Sequence, residues 1–147
     1  MPNAIKWEAA AATQGNVLTT ELNSLADNAI SGVGTAIDNS ANLDQFGYVE
    51  VNLASLNPTT GAFLTLYMTM ALDGTNYEDP AASTNPAWHA IAATIPVTTG
   101  SATKRCMSPK FEIPPCKVKF QLRNDCNVAL AASGNTVELF TTNDEVQ

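Results

Sequence analysis

The stretch Leu72–Pro80, LDGTNYEDP, crowds Asp73, Asn76, Glu78 and Asp79 around one glycine. Oxygen donors at that density are what a bound calcium ion would need, so chemistry has to be tested here first. Calcium takes about six or more oxygens from a flexible loop. Asp73, Asn76 and Asp79 offer three side chains, and the DxDxDG order of a calcium loop is absent. Asp-Gly is also a tight-turn dipeptide, because glycine accepts positive φ and aspartate bonds its own backbone. The stretch therefore reads as a turn, after which Tyr77 resumes packing. His89 is the single histidine and lies beside Trp88 in an apolar segment, the setting of a packed or surface residue. Cys106, Cys116 and Cys126 are odd in number and lack CxxC spacing, which fits neither a disulfide framework nor a zinc site. Free, partly buried thiols are expected, with a Cys106–Cys116 bridge open only if neighbouring strands pair there. GxSxG, HExxH and GxxxxGK[ST] are missing from the sequence, so it offers no nucleophile elbow, zincin helix or phosphate loop. The expectation is a chain with no catalytic residues, no metal and no cofactor.

The elements that carry these residues read as strands. From Tyr48 onward the apolar period is two. Val49, Val51 and Leu53 share one face of YVEVNLA, and Ala62, Leu64, Leu66, Met68, Met70 and Leu72 share one face of AFLTLYMTMAL. WHAIAATIPV alternates again, and Pro96 places it at a sheet edge or ends it early. Val118, Phe120 and Leu122 face inward in KVKFQLRN, as do Val137 and Leu139 in NTVELFTT. Turn signals recur between these runs: Asn57-Pro58, Asp73-Gly74, Asn85-Pro86, Gly100-Ser101, Pro114-Pro115, Asn124-Asp125 and Gly134-Asn135. Many short alternating strands predict a mainly β chain, an antiparallel β-sandwich of jelly-roll or immunoglobulin-like type.

Ahead of the sandwich the signals change. Residues 1–16 read as an arm, extended around Ile5 and Trp7 and broken at Gln14-Gly15-Asn16. In VLTTELNSLAD, Leu18, Leu22 and Leu25 recur at helical spacing behind Thr19 as N-cap. A helix this short must dock on something. Residues 28–37, NAISGVGTAI, read as an irregular strand. These signals divide the chain into an N-terminal arm with one short helix over 1–27 and a sandwich domain over 28–147.

Composition narrows the class of partner. Of the 147 residues 45% are apolar and only 14% charged, against about 25% charged in typical domains. Such a surface suits a β protein packed against other proteins. The net charge of −7 argues against general nucleic-acid binding, which needs cations on phosphates. The apolar runs fall short of a membrane span. The opening MPNAIKWEAAAATQG lacks a signal peptide's apolar core, so synthesis and folding in a cytoplasm are expected. Six of the seven Lys and Arg lie between Lys104 and Arg123, opposed there by Glu112 alone. Lys117, Lys119 and Arg123 share the outward face of one strand. Cross-strand pairing and edge protection account for such a stripe; docking on an acidic shell, or head-to-tail pairing of subunits, is the sharper alternative.

Two blocks taken together, AIDNSANLDQFGYVEVNLASLNPTTGAFLTLYMTMALDGTNYED and FEIPPCKVKFQLRNDCNVALAASGNTVELFTTNDE, resemble small virion structural proteins of tailed bacteriophages. The resemblance spans roughly residues 36–145 and rests on the order of several weak motifs. It implies a β-sandwich that decorates or cements the capsid, with the major capsid protein as partner and a homo-oligomer, trimer favoured. It carries over no catalytic residue. The expected capsid- or subunit-binding residues are Ile5 and Trp7 of the arm, Leu18, Leu22 and Leu25 of the helix, and the stripe Lys117, Lys119 and Arg123. The expected location is the capsid surface of the virion. The competing reading is a tail or head-fibre module recognising host surface glycans, with Trp88, Tyr77 and His89 as its platform.

Overall fold

The computed structural model describes residues 5–7, 12–78 and 84–146. The long strands form two antiparallel sheets. In the first, β2 (Ala12–Leu18), β10 (Thr136–Thr142), β4 (Phe46–Leu56) and β7 (Ala102–Met107) lie in that order, and the short β8 (Phe111–Glu112) also pairs with β4. In the second the order is β3 (Ile37–Asp38), β9 (Lys117–Asp125), β5 (Phe63–Ala71) and β6 (Ile91–Pro96). Period-two alternation sets each strand's inner face: Val49, Val51, Leu53, Val137 and Leu139 from the first sheet meet Leu64, Leu66, Val118, Phe120 and Leu122 from the second. Across the gap the Phe111 ring meets Phe120 edge-on at 6.2 Å, a favoured aromatic geometry. The architecture is the expected mainly β, antiparallel sandwich. β6 ends at Pro96 and lies at a sheet edge, where a missing N–H costs nothing.

The N-terminal third departs from expectation. Leu18 ends β2, Thr20–Leu22 forms a single 3-10 turn, and Thr19 makes no side-chain cap. Leu18, Leu22 and Leu25 lie in the sandwich core. The spacing that suggested a helix is thus produced by a strand end and one tight turn. Pairing with β10 holds the backbone extended through Leu18, and burial outranks propensity in a segment too short for an independent helix. Gln14-Gly15-Asn16 does not break the chain; β2 runs through it with two register shifts against β10, the irregularity of β-bulges. β2 is therefore an edge strand of the sandwich.

Over 28–37, read as an irregular strand, the regular strand is confined to β3 at its end. Residues 28–38 follow β9 from end to end with a single bridge, Ile30↔Arg123, and the two-residue ladder of β3. Ser31 N–H donates to Leu122 O, Leu122 N–H to Ser31 Oγ, and Gly34 N–H to Phe120 O. Thr35 N–H donates the other way, to Val17 O of β2. This segment thus laces one edge of the first sheet to one edge of the second. Gly34 is where the two come closest: a Cβ there would sit 2.1 Å from Val17 O and 2.8 Å from Leu18 Cδ2.

Three buried asparagines fix the loops. Asn39 Nδ2 donates to Asp44 O and Pro114 O while its Oδ1 accepts from Asp44 N–H, closing the Asn39–Asp44 loop. Asn135 donates to Ala131 O and accepts from Ala54 N–H. Asn124, fully buried, donates to Leu25 O, Ala26 O and Val128 O and accepts from Cys126 N–H. Each pairs with backbone groups that are buried or part-buried, where polar groups are expected to find partners.

Candidate docking surface

The Asp73 loop is a turn. Asp73 Oδ1 accepts from the N–H groups of Thr75 and Asn76, Oδ2 accepts from Asn76 Nδ2, and Gly74 takes φ +76°. The carboxylate oxygens are therefore taken up by N–H groups of the turn itself. Those hydrogen bonds bring the Asp73 pKa down to about 2. Among the described residues no group of three metal-ligating side chains comes together; Asp79, the third calcium donor considered, lies outside them. The folded pKa falls below the ordinary 3.8, so the turn's contribution is complete above that value and is lost as pH falls toward 2. A carboxyl NMR titration should place the Asp73 midpoint near 2; a midpoint at the ordinary value would contradict this turn.

The basic stripe is engaged within the chain. Lys117 Nζ lies 3.9 Å from Asp38, Lys119 Nζ sits 4.2 Å above the Tyr77 ring, and Arg123 Nε lies 3.1 Å from Asp125. The rest of the basic cluster is used in the same way. Arg105 pairs with Glu50 across β7 and β4 at 2.6 Å and holds the Glu50 carboxyl below its ordinary range. Lys110 covers Phe46 at 3.8 Å, and buried Lys104 donates to Thr99 O and Gly100 O. Cross-strand and local pairing thus accounts for the cluster.

The other expected contact residues divide. Leu18, Leu22 and Leu25 are inside the protein's own core, so they are not available to dock. Ile5 and Trp7 belong to β1 (Ile5–Trp7), which pairs with β11 (Asp144–Val146) of the same chain; their side chains lie outside the described residues. Cys106, Cys116 and Cys126 are buried free thiols without a bridge, and burial drives the Cys126 pKa up to about 12, which keeps it an unreactive thiol. His89 and Trp88 lie on a 3-10 turn, Trp88–Ala90, rather than in the strand, and both are exposed.

What the structure adds is an apolar surface that belongs to β5. Its inward face is the row Leu64, Leu66, Met68, Met70, continued by Leu72 just beyond the strand. Burial decays along the row: Leu64 and Leu66 are 0% exposed, Met68 and Met70 are half-buried, and Leu72 is 80% exposed. The core face of the second sheet therefore runs out from under the first. Where it emerges, Phe46, Ile113, Pro114 and Pro115 face Met68 and Met70 across a cleft of about 560 Å³. Met70 also lines the adjoining hollow with Leu72 and Tyr77, whose other walls are Asp73, Asn76 and Glu78. A second groove of about 450 Å³, lined by Tyr48, Met107 and Phe140, opens on the outer face of the first sheet beside the Arg105–Glu50 pair. Adaptable methionines suit such a face, because their unbranched side chains refit to a partner.

Among the described residues no helix is long and apolar enough to cross a membrane. Compared with protein-family models, with curated proteins and with solved structures, the chain has no match.

Proposed function

We propose that this chain is a non-enzymatic structural protein of a tailed-phage virion, which decorates and cements the capsid by docking across neighbouring capsid subunits. The observation that carries a docking role is the β5 row. A core-type stripe that ends in an 80% exposed leucine gains its burial only against another surface. The cleft between the two sheets at that end gives a partner's apolar side chain somewhere to enter. The bacteriophage setting rests on the resemblance of residues 36–145, and the charge-poor composition is consistent with a surface that spends its life in contact.

The experiment has two arms. Quantitative mass spectrometry of purified virions should find this chain at a copy number comparable to the major capsid protein or a simple fraction of it. A handful of copies, or none, would remove the decoration role. In the second arm Leu72→Asp should lower capsid occupancy at least about tenfold, as expected when a charge enters an apolar contact. Its melting temperature should stay at the wild-type value, because surface substitutions of this kind change stability by no more than about 0.5 kcal/mol. Full occupancy by that variant would sink the β5 row as the docking face.

A further inference from the structure

We infer that Trp88, with the Glu78–His89 pair beside it, forms a carbohydrate-binding subsite at the turn preceding β6. Trp88 is 83% exposed, the most exposed large apolar side chain on the described surface. Its backbone is nonetheless fixed. The 3-10 turn is closed by Ala90 N–H donating to Ala87 O, and Ile91 pairs directly with Tyr67 of β5. The indole therefore stands out from a turn tied to β5.

Beside it stand two polar groups in a defined relation. His89 Nε2 lies 2.8 Å from Glu78 Oε1, both side chains are about half exposed, and the imidazole meets the indole edge-on at 6.4 Å. Glu78 is itself anchored, its N–H donating to Met70 O at the end of β5. Among the described residues, Glu78 Oε2 and His89 Nδ1 have no partner. The result is an exposed indole with a half-exposed imidazole–carboxylate pair next to it. A sugar ring has the matching two-sided chemistry. Its axial C–H groups carry partial positive charge and stack on the negative face of an indole, and its equatorial hydroxyls point outward to donors and acceptors at the rim. A purely apolar protein segment would leave the carboxylate and imidazole desolvated beside it, which is costly. Tyr77 is not part of this subsite, since Lys119 occupies its ring face.

The inference does not depend on capsid docking, and its test keeps the two apart. The full chain would be screened against an array of glucose-, galactose- and N-acetylhexosamine-based oligosaccharides together with purified lipopolysaccharide. The expected result is binding to at least one glycan with quenching of Trp88 fluorescence. Trp88→Ala should weaken it by about tenfold or more, Trp88→Phe should retain part of it because a smaller ring still stacks, and Glu78→Gln should alter the order of preference among glycans. Leu72→Asp should bind as the wild type does. No binding at millimolar glycan, or binding that Trp88→Ala leaves unchanged, would overturn the inference whatever the capsid experiment shows.

Discussion

Gly34→Ala lowers the unfolding free energy by about 3 kcal/mol, the sum expected of overpacking (about 1–3 kcal/mol) and one lost backbone hydrogen bond (about 1 kcal/mol). The added Cβ would stand 2.1 Å from Val17 O, a backbone atom that cannot swing aside as a side chain would. Relief requires the 31–35 segment to move away from β2. That movement breaks the bond from Thr35 N–H to Val17 O, or the one from Gly34 N–H to Phe120 O. Gly34 is not at positive φ, so the penalty is one of contact rather than of backbone conformation. For a chain of this size the loss corresponds to a melting temperature lower by about 10 °C. Thermal unfolding followed by near-ultraviolet circular dichroism measures it. A variant that melts within about 2 °C of wild type would mean that the two sheets are not laced at this point.

The second large effect belongs to Asn124. Asn124→Ala removes the donor serving the carbonyls of Leu25, Ala26 and Val128 and the acceptor of the Cys126 N–H. The Leu25 carbonyl and the Cys126 N–H remain buried without a partner, each such group costing about 1–3 kcal/mol, while the part-buried carbonyls of Ala26 and Val128 lose less. Relaxation recovers part of the sum, and the expected loss is about 4 kcal/mol, a large share of the roughly 5–15 kcal/mol that holds a domain together. Asn124→Asp separates the hydrogen bonds from the volume they occupy. It keeps the shape and the bond from Cys126 N–H but aims a second oxygen at three carbonyls, so it should be at least as destabilising as alanine. Urea midpoints of the two variants decide the matter. If Asn124→Asp folds as stably as wild type, the amide's donors contribute nothing and the network described here is wrong.

Asn124 also illustrates what a sequence can and cannot convey. β4, β5, β9 and β10 were legible because an antiparallel strand between a core and an outer face imprints its period on consecutive residues. The Asp73 turn and the edge placement of β6 were legible for a similar reason, since φ at Gly74 and the absent N–H of Pro96 are local properties. Asn124, Asn39 and Asn135 read equally well as turn residues. Each also has a partner far away in the chain, Leu25 being 99 residues from Asn124, Pro114 75 from Asn39 and Ala54 81 from Asn135, and nothing in the neighbouring residues announces those. Leu18, Leu22 and Leu25 misled because core residues in a bent segment can fall at helical spacing by chance. The docking row was half visible. Met68, Met70 and Leu72 were placed on one face with Leu64 and Leu66, but which of them emerge depends on how far the opposite sheet extends, and that is set by residues elsewhere. The Trp88 platform was named among the candidates, while the engagement of Tyr77 by Lys119 was not, because that pair joins the loop after β5 to the middle of β9.

The pairing of β2 with β10 carries a kinetic meaning. Leu18 sits opposite Val137 and Ala12 opposite Thr141, so β2 leaves the ribosome more than a hundred residues ahead of the strand it pairs with. At about 5–20 residues per second that delay is on the order of ten seconds. Throughout it Val17 and Leu18 have no sheet to join, and the 31–35 lace has β9 to wait for as well. Contacts this remote along the chain place the protein among slow folders, in the range of about milliseconds to seconds even when the whole chain is present. The interval in which an apolar edge stands open is therefore longest at birth, and a chaperone that shields the nascent N-terminal segment would raise the yield of folded protein without altering its final stability.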